Sequence, residues 1–434
     1  MDLVLGTDLL LVIAPGMGKT LVLLAPLLYA QSIGEDGIAL VVVPSKFLTE
    51  QQAATFRRAG IYAEAINEDS LQTAYTVDGR NLLKEVIARS GVRSIVITPW
   101  MLLAFNLNSV LINTPSANSQ VKWCLIDEIH LTIETASVFS AVYLAIQHLR
   151  PRLCSSTIWA AVTGTASPSE ASTIATLLGF GYGMYKSVRY SVVRPNVKFI
   201  MRFLQFPYSG LEFYDINFLI PFRMRSPTEI LPTLVFCKSI KQANAVMHYL
   251  DSLIALCIPN GKNLIKPCNS IWEPEYRERF RTGIENGTIR IGLCTDTCTY
   301  GIDLRVIRRV VVLDQHESYA NLIQQWCRGG RDGRPAVAYL LGAPWLKEVP
   351  LSEQKTNQSL ENALRRKAVP RIILDWLNAT PAQCPRQILC EYNSEEYTPQ
   401  DHCCNQHQPE PELTKDMDQI LQWKMLLDDR KPKA

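Results

Sequence analysis

Short apolar runs rich in β-branched residues recur along this chain, each followed by a segment with helical spacing. "LLLVIAP", "IALVVVP", "RSIVITP", "KWCLIDE" and "IWAAVTGTA" are separated by stretches such as "TLVLLAPLLYAQ" and "TEQQAATFRRAG". A strand that is apolar throughout must be covered on both faces, and a strand that reaches the next through a helix pairs with it in parallel. The alternation therefore restricts the chain to α/β architectures with helices on both faces of a parallel sheet. It breaks around "SVRYSVVRPNVKF" and restarts with "TLVFC", "IRIGLCT", "RRVVVLD" and "AVAYLLG". Two α/β domains are expected, joined near residues 188 to 205. After residue 346 the strands stop, and helical, polar, Cys/His-rich sequence runs to the charged end "DDRKPKA".

The 434 residues, 47% of them hydrophobic, suit two domains and a small appendage. The 44 Lys+Arg against 41 Asp+Glu leave +3, so any nucleic-acid binding must come from locally placed groups. No charged-then-apolar leader opens the chain and no apolar run reaches the ~18 residues of a membrane span, so a soluble, intracellular protein is expected. Eight of the 12 cysteines are scattered singly from Cys124 to Cys327, several in apolar runs where a thiol acts as a small hydrophobe. The other four, Cys384, Cys390, Cys403 and Cys404, crowd together with His402 and His407 and need their own explanation.

"APGMGKT" stands between a strand and a helix. There backbone amides and a helix N-terminus can surround a phosphate, while Lys19 reaches the terminal phosphates and Thr20 ligates Mg²⁺. The general pattern wants glycine at Ile13, so this is the shorter form, Ala14, Pro15, Gly16, Met17, Gly18, Lys19 and Thr20. Glycine turns also occur for packing alone, but the strand-loop-helix context favours a nucleotide. "CLIDEIHL" is an apolar strand ending in two carboxylates. At a strand's carboxyl edge Asp127 would hold Mg²⁺ and Glu128 would polarise the attacking water. An ordinary acidic turn is the bland alternative, and the phosphate loop in the same domain argues against it. "LIQQWCRGGRDGRPA" offers Arg328 and Arg331 beside glycines. Arginines supplied to a transferring γ-phosphoryl group contribute about 10³ to 10⁵ in rate; a solvated arginine loop is the alternative.

Taken in order, "APGMGKT", "VVVPSKFLTEQQ", "ITPWML", "DEIH", "TGTAS", "RPNV", "LVFCKS", "CTDTCTYGID" and "QQWCRGGRDG" resemble the motif series of superfamily 2 helicases. "SVVRPNV" and the late cysteines look like the RecQ family of DNA helicases in particular, and the resemblance covers roughly residues 4 to 407. It implies an α/β fold with two RecA-like parallel-sheet domains in tandem, at 1–195 and 196–345. A helical zinc-binding subdomain at 346–410 and a charged tail at 411–434 would follow. It also implies ATP and Mg²⁺ held by Lys19, Thr20, Asp127 and Glu128, with His130 coupling the site to the second domain. Gln324, Arg328 and Arg331 would complete that site, and Gly301 and Asp303 would approach the ribose. Ser45, Lys46, Thr98 and Pro99 in the first domain and Lys238, Ser239 and Thr295 in the second would grip the phosphates of a DNA strand, single or at a duplex junction. The implied activity is 3′→5′ DNA unwinding, with a nuclear location. An RNA helicase of the same superfamily and a nucleic-acid-binding protein that no longer turns over are the rival readings.

Some features depart from that family. "MDLVLGTD" looks like only the end of the segment that reads adenine, so either the chain is incomplete or adenine recognition is lost. The aromatic-rich loop expected after "DEIH" is replaced by "LTIETASVFSAVYLAIQHL", with Phe139 and Tyr143 but no tryptophan or histidine near the expected place. Trp100 stands where an acidic residue is typical, and Cys327 where a glycine is.

For zinc, Cys404 and His407 have a common ligand spacing, and Cys384 matches the cysteine that opens the RecQ zinc segment. Cys403 is the expected fourth ligand with His402 as runner-up, and Cys390 is read as a core thiol. Four cysteines without metal are the alternative, but a short strand-free segment seldom folds without a staple.

Overall fold

The computed structural model describes residues 3, 5–133, 140–181, 183–206, 212–258, 261, 263–269, 272–295, 304–314, 317–350, 356–380, 382–399, 403–404 and 411–429. The chain divides into two units, Met1–Val192 and Val193–Ala434.

In the first unit the five apolar runs become β1 (Asp8–Val12), β2 (Gly37–Val42), β4 (Val92–Ile97), β5 (Val121–Ile126) and β6 (Ile158–Thr163), and two strands that the runs did not mark, β3 (Tyr62–Ile66) and β7 (Tyr185–Arg189), flank them. They form one parallel sheet in the order β3-β4-β2-β5-β6-β1-β7. β2 and β4 are buried at every position, as strands covered on both faces must be. Leu23 and Leu27 of the helix Lys19–Ser32 and Phe56 of the helix Lys46–Arg58 pack with Leu9, Leu11, Val41 and Leu125. Asp8 pins the start of β1: one carboxylate oxygen takes the Trp159 amide at 2.8 Å and the other pairs with Arg150 at 2.5 Å. This parallel order brings the carboxyl ends of β1 and β5 to the same edge, separated by β6 alone.

The second unit repeats the design with β8 (Val197–Phe203), β9 (Thr233–Cys237), β10 (Ile265–Cys268), β11 (Ile291–Cys294), β12 (Arg309–Leu313) and β13 (Ala336–Gly342). They are parallel in the order β10-β11-β9-β12-β13-β8. Residues beyond 346 belong to this unit. The helices Arg371–Leu377 and Pro385–Tyr392 pack on β8, with Trp376 against Trp326 at 5.1 Å between ring centroids.

Residues 411–429, expected as part of a charged tail, form the helix Pro411–Asp429. Its Ile420 and Trp423 are buried in the second unit's core. The Trp423 indole donates to the Ile220 carbonyl at 2.9 Å, and the Tyr339 hydroxyl donates to Asp416 at 2.8 Å. The terminal charges hid a buried stripe.

Candidate functional site

In the first unit the phosphate loop leaves β1 and turns into the helix Lys19–Ser32. Gly16 and Gly18 have φ of 87° and 93°, which residues with a side chain rarely adopt. Gly164 of "TGTAS" lies so close to Pro15 that an added Cβ would meet its ring at 2.8 Å. The loop crest, Gly16 to Gly18, is exposed, while Ala14 and Pro15 are buried. The Met17 amide donates to the Ala14 carbonyl at 3.2 Å, closing the turn, and the exposed crest gives an anion access to the loop.

The Lys19 ammonium is bonded to Glu128 and lies 3.8 Å from Asp127. Both carboxylates follow β5, and Asp127 accepts the Glu128 amide at 2.9 Å. Burial pushes the Asp127 carboxyl up to about 6, with the Lys19 charge pulling the other way. Buried His130 sets Nδ1 2.8 Å from the Thr163 hydroxyl and 3.5 Å from Glu128. Tyr143 donates to the Asp127 carbonyl at 3.3 Å. Lys19, Asp127, Glu128 and His130 are thus one connected cluster. Thr163, from "TGTAS", and Tyr143, from the segment after "DEIH", join it; the sequence assigned neither a part in this cluster, because only the fold brings them near.

In the second unit Gln324 lies in the last turn of the helix Tyr319–Trp326, and Arg328 and Arg331 follow on a tight turn. Gln324 and Arg328 are buried. The "RPN" segment holds this turn by its carbonyls. Arg194 donates to Cys327 at 3.3 Å and to Gly330 at 2.5 Å, and Asn196 donates to Gly330 and Arg334, both at 2.8 Å. Buried Arg386 in turn donates to the Arg194 and Val197 carbonyls at 3.0 and 2.6 Å.

The expected strand contacts occupy the carboxyl edge of each sheet. Ser45 caps the helix after β2, accepting the Leu48 amide at 3.3 Å, and Ser239 caps the helix after β9, accepting that of Gln242 at 3.1 Å. Lys46 pairs with Glu68 at 3.2 Å and Asp69 at 2.9 Å, and Lys238 with Glu317 at 2.7 Å. Thr98 and Pro99 are buried, and the Thr98 hydroxyl has no partner among the described residues. Trp100 beside them reaches the surface. Thr295 immediately follows β11, while Gly301 and Asp303 lie outside the described residues.

Cys384, Cys403 and Cys404 are all buried and form a triangle with Sγ–Sγ distances of 3.3, 3.6 and 3.7 Å. Cys404 bridges to Phe199 on edge strand β8, and the Phe199 amide donates to the Cys403 carbonyl at 3.1 Å. Hydrogen bonding from Cys404, with Tyr397 assisting, holds the Cys384 thiol well below its usual range, favouring thiolate. Cys390 is buried apart from the triangle and pushed up to about 11 by desolvation. His402 and His407 lie outside the described residues.

Two parallel-sheet units in tandem, the first with a phosphate loop facing an acidic strand end and the second with a braced arginine turn, define the superfamily 2 helicase class. The DEAD/DEAH box helicase model matches residues 1–174 and the helicase conserved C-terminal domain model matches 227–333. ATP-dependent DNA helicase RecQ of Haemophilus influenzae is 23% identical over 403 residues, 92% of this chain and 58% of the relative. ATP-dependent DNA helicase Q1 of Mus musculus is 23% identical over 334 residues, 77% of this chain and 48% of the relative. Among solved structures, S. cerevisiae Dbp5 bound to RNA and ADP BeF3 superposes with a TM-score of 0.55 at 14% identity, covering 84% of each chain. Within the class, this chain is most like the RecQ-type helicases among the relatives just named. It spans about half the length of the curated relatives it matches.

Proposed function

We propose that this protein is an ATP-dependent DNA helicase of RecQ type that moves 3′→5′ along a single strand, in the nucleus. The observation that carries the reading is the contact of Lys19 with Glu128 and Asp127 at the carboxyl edge of the first sheet. The lysine binds anions and the carboxylates bind cations. Engaged with each other here, they are the two halves of a Mg²⁺-phosphate site. Bound there, Mg²⁺ would neutralise charge on the ATP phosphates. Lys19 and the loop amides orient those phosphates, Thr20 and Asp127 hold the cation, and Glu128 orients the water. Arg328 and Arg331 bring positive charge to the transferring group, on a turn held by Arg194 and Asn196. Gly301 and Asp303 are assigned to the ribose from the family motif. DNA is preferred over RNA on the strength of the RecQ relatives and the cysteine triangle. No helix among the described residues is long and apolar enough to cross a membrane.

The triangle fits structural Zn²⁺. Four sulfur ligands at about 2.3 Å define a tetrahedron with edges of about 3.8 Å, close to the observed separations. Cys384, Cys403 and Cys404 would supply three ligands and His407 the fourth. A closed set of protein ligands gives the metal a folding role.

The test is ATP turnover with no nucleic acid, with single-stranded DNA and with single-stranded RNA, followed by unwinding of duplexes with 3′ or 5′ overhangs. Stimulation by DNA above RNA and unwinding from 3′ overhangs are expected. Stimulation by RNA alone would install the RNA-helicase reading, and no turnover at all would leave a binding protein.

A further inference from the structure

The eight tryptophans of this chain are not distributed like ordinary core residues. Trp123, Trp159, Trp326, Trp376 and Trp423 are buried, and Trp345 lies under the Arg365 guanidinium at 4.2 Å. Only Trp100, 46% exposed, and Trp272, 39% exposed, present large ring surfaces to solvent. Each unit has one of them, and each stands just past a strand's carboxyl end. Trp100 lies on the 3-10 turn Pro99–Leu103 after β4, and Trp272 on the turn between β10 and the helix Pro274–Asn286.

Within each sheet that position is close to the serine-lysine pair. β4 is hydrogen-bonded to β2, whose end leads to Ser45 and Lys46. β10 is separated by β11 alone from β9, whose end leads to Lys238 and Ser239. Trp272 is also fixed in place. Its ring stacks on Tyr276 at 4.3 Å between centroids and 19° between planes, and the Tyr276 hydroxyl is anchored on the Pro267 carbonyl at 2.9 Å. With one face held by Tyr276, the residue still keeps 39% of its surface exposed. In the segment that follows, Glu273, Glu275 and Glu278 balance Arg277, Arg279 and Arg281, so it carries no net charge to draw phosphate. An oriented, uncharged aromatic face is suited to a planar apolar group. Every nucleobase has such a face, and stacking on it needs no particular sequence.

We propose that Trp100 and Trp272 are base-stacking platforms, one in each unit, for single-stranded DNA whose phosphates lie along the serine-lysine pair of the same unit. The proposal rests on the strand-binding reading above and adds contacts to bases where that reading has contacts to phosphates. It also gives this chain two aromatic strand contacts outside the segment that follows Asp127 and Glu128.

The test compares an oligothymidylate with an abasic strand of the same length, measuring Kd for the full chain, Trp100→Ala, Trp272→Ala and the matching phenylalanine variants. Each alanine variant should bind oligothymidylate about 5- to 100-fold more weakly and the abasic strand as before. Phenylalanine should recover most of the loss, and thermal midpoints should stay within a few degrees, since neither ring is in a core. Alanine variants that bind oligothymidylate like the full chain would overturn the proposal, as would equal losses on both strands. In those cases strand binding itself survives; if the unmodified chain binds neither strand, the strand-binding reading falls together with this one.

Discussion

Glu128 has a left-handed backbone, with φ of 50°, immediately after β5, where few residues other than glycine settle. That turn accompanies the bond of its carboxylate to Lys19, while Asp127, one residue earlier, lies 3.8 Å from the same ammonium. The roles proposed for these sequence neighbours differ, which separates two predictions. Lys19→Ala should abolish turnover and weaken ATP binding, whereas Glu128→Gln should abolish turnover and leave ATP bound; nucleotide-binding titrations beside hydrolysis rates distinguish them. A Glu128→Gln protein that hydrolyses ATP at the full rate would dismiss the water-orienting role. Asp127 gives a pH test. With its carboxyl at about 6 it is mostly ionised at pH 7 and mostly protonated at pH 5. A divalent cation needs the ionised form, so Mg²⁺ affinity should fall about tenfold over that interval, and an ordinary aspartate would show almost no change. Lys19, Asp127 and Glu128 were legible because their chemistry is written in contiguous motifs. Arg194 and Asn196 were legible only as a family mark, because the carbonyls they hold lie more than 130 residues away.

Among the elements, the helix Pro411–Asp429 shows what the sequence concealed. Met417, Ile420, Trp423 and Leu427 recur at helical spacing and all pack into the second unit's core, yet the charges around them and the lysine-rich end drew the eye. The signal was present in the apolar period and absent from the composition. Trp423 is 1% exposed, meets Phe222 edge-on at 5.2 Å and satisfies the Ile220 carbonyl. Trp423→Ala should therefore cost about 3 to 5 kcal/mol in the second unit, read as a lowered unfolding midpoint. A loss below about 1 kcal/mol would mean that the helix contributes little to that core. Nine inner strands, by contrast, were legible, because parallel strands buried on both faces cannot alternate polar and apolar residues; the edge strands β3, β7, β8 and β10 carry polar residues and did not stand out.

At the scale of the whole chain, the cysteine triangle and the arginine turn are parts of one assembly. Cys384 precedes the helix bearing Arg386, Arg386 grips the backbone at Arg194, and Arg194 grips the turn before Arg331. Removing zinc with a chelator should lower the unfolding transition of the second unit by about 10 °C or more, for a loss of about 3 to 5 kcal/mol, and leave the first unit's transition in place. Calorimetry on protein with and without chelator checks this, and elemental analysis must find about one zinc per chain. The paired lysines have a different consequence, in the currency of dissolved ions. Lys46 and Lys238 already neutralise Glu68, Asp69 and Glu317. When such a lysine turns to a DNA phosphate, the strand releases a cation and the abandoned carboxylate takes one up. The two counts nearly cancel, so these lysines should add little to the fall of affinity with added electrolyte. Glu317→Gln removes the uptake on one side: strand affinity should rise, and the slope of log K against log salt should steepen by about 0.7.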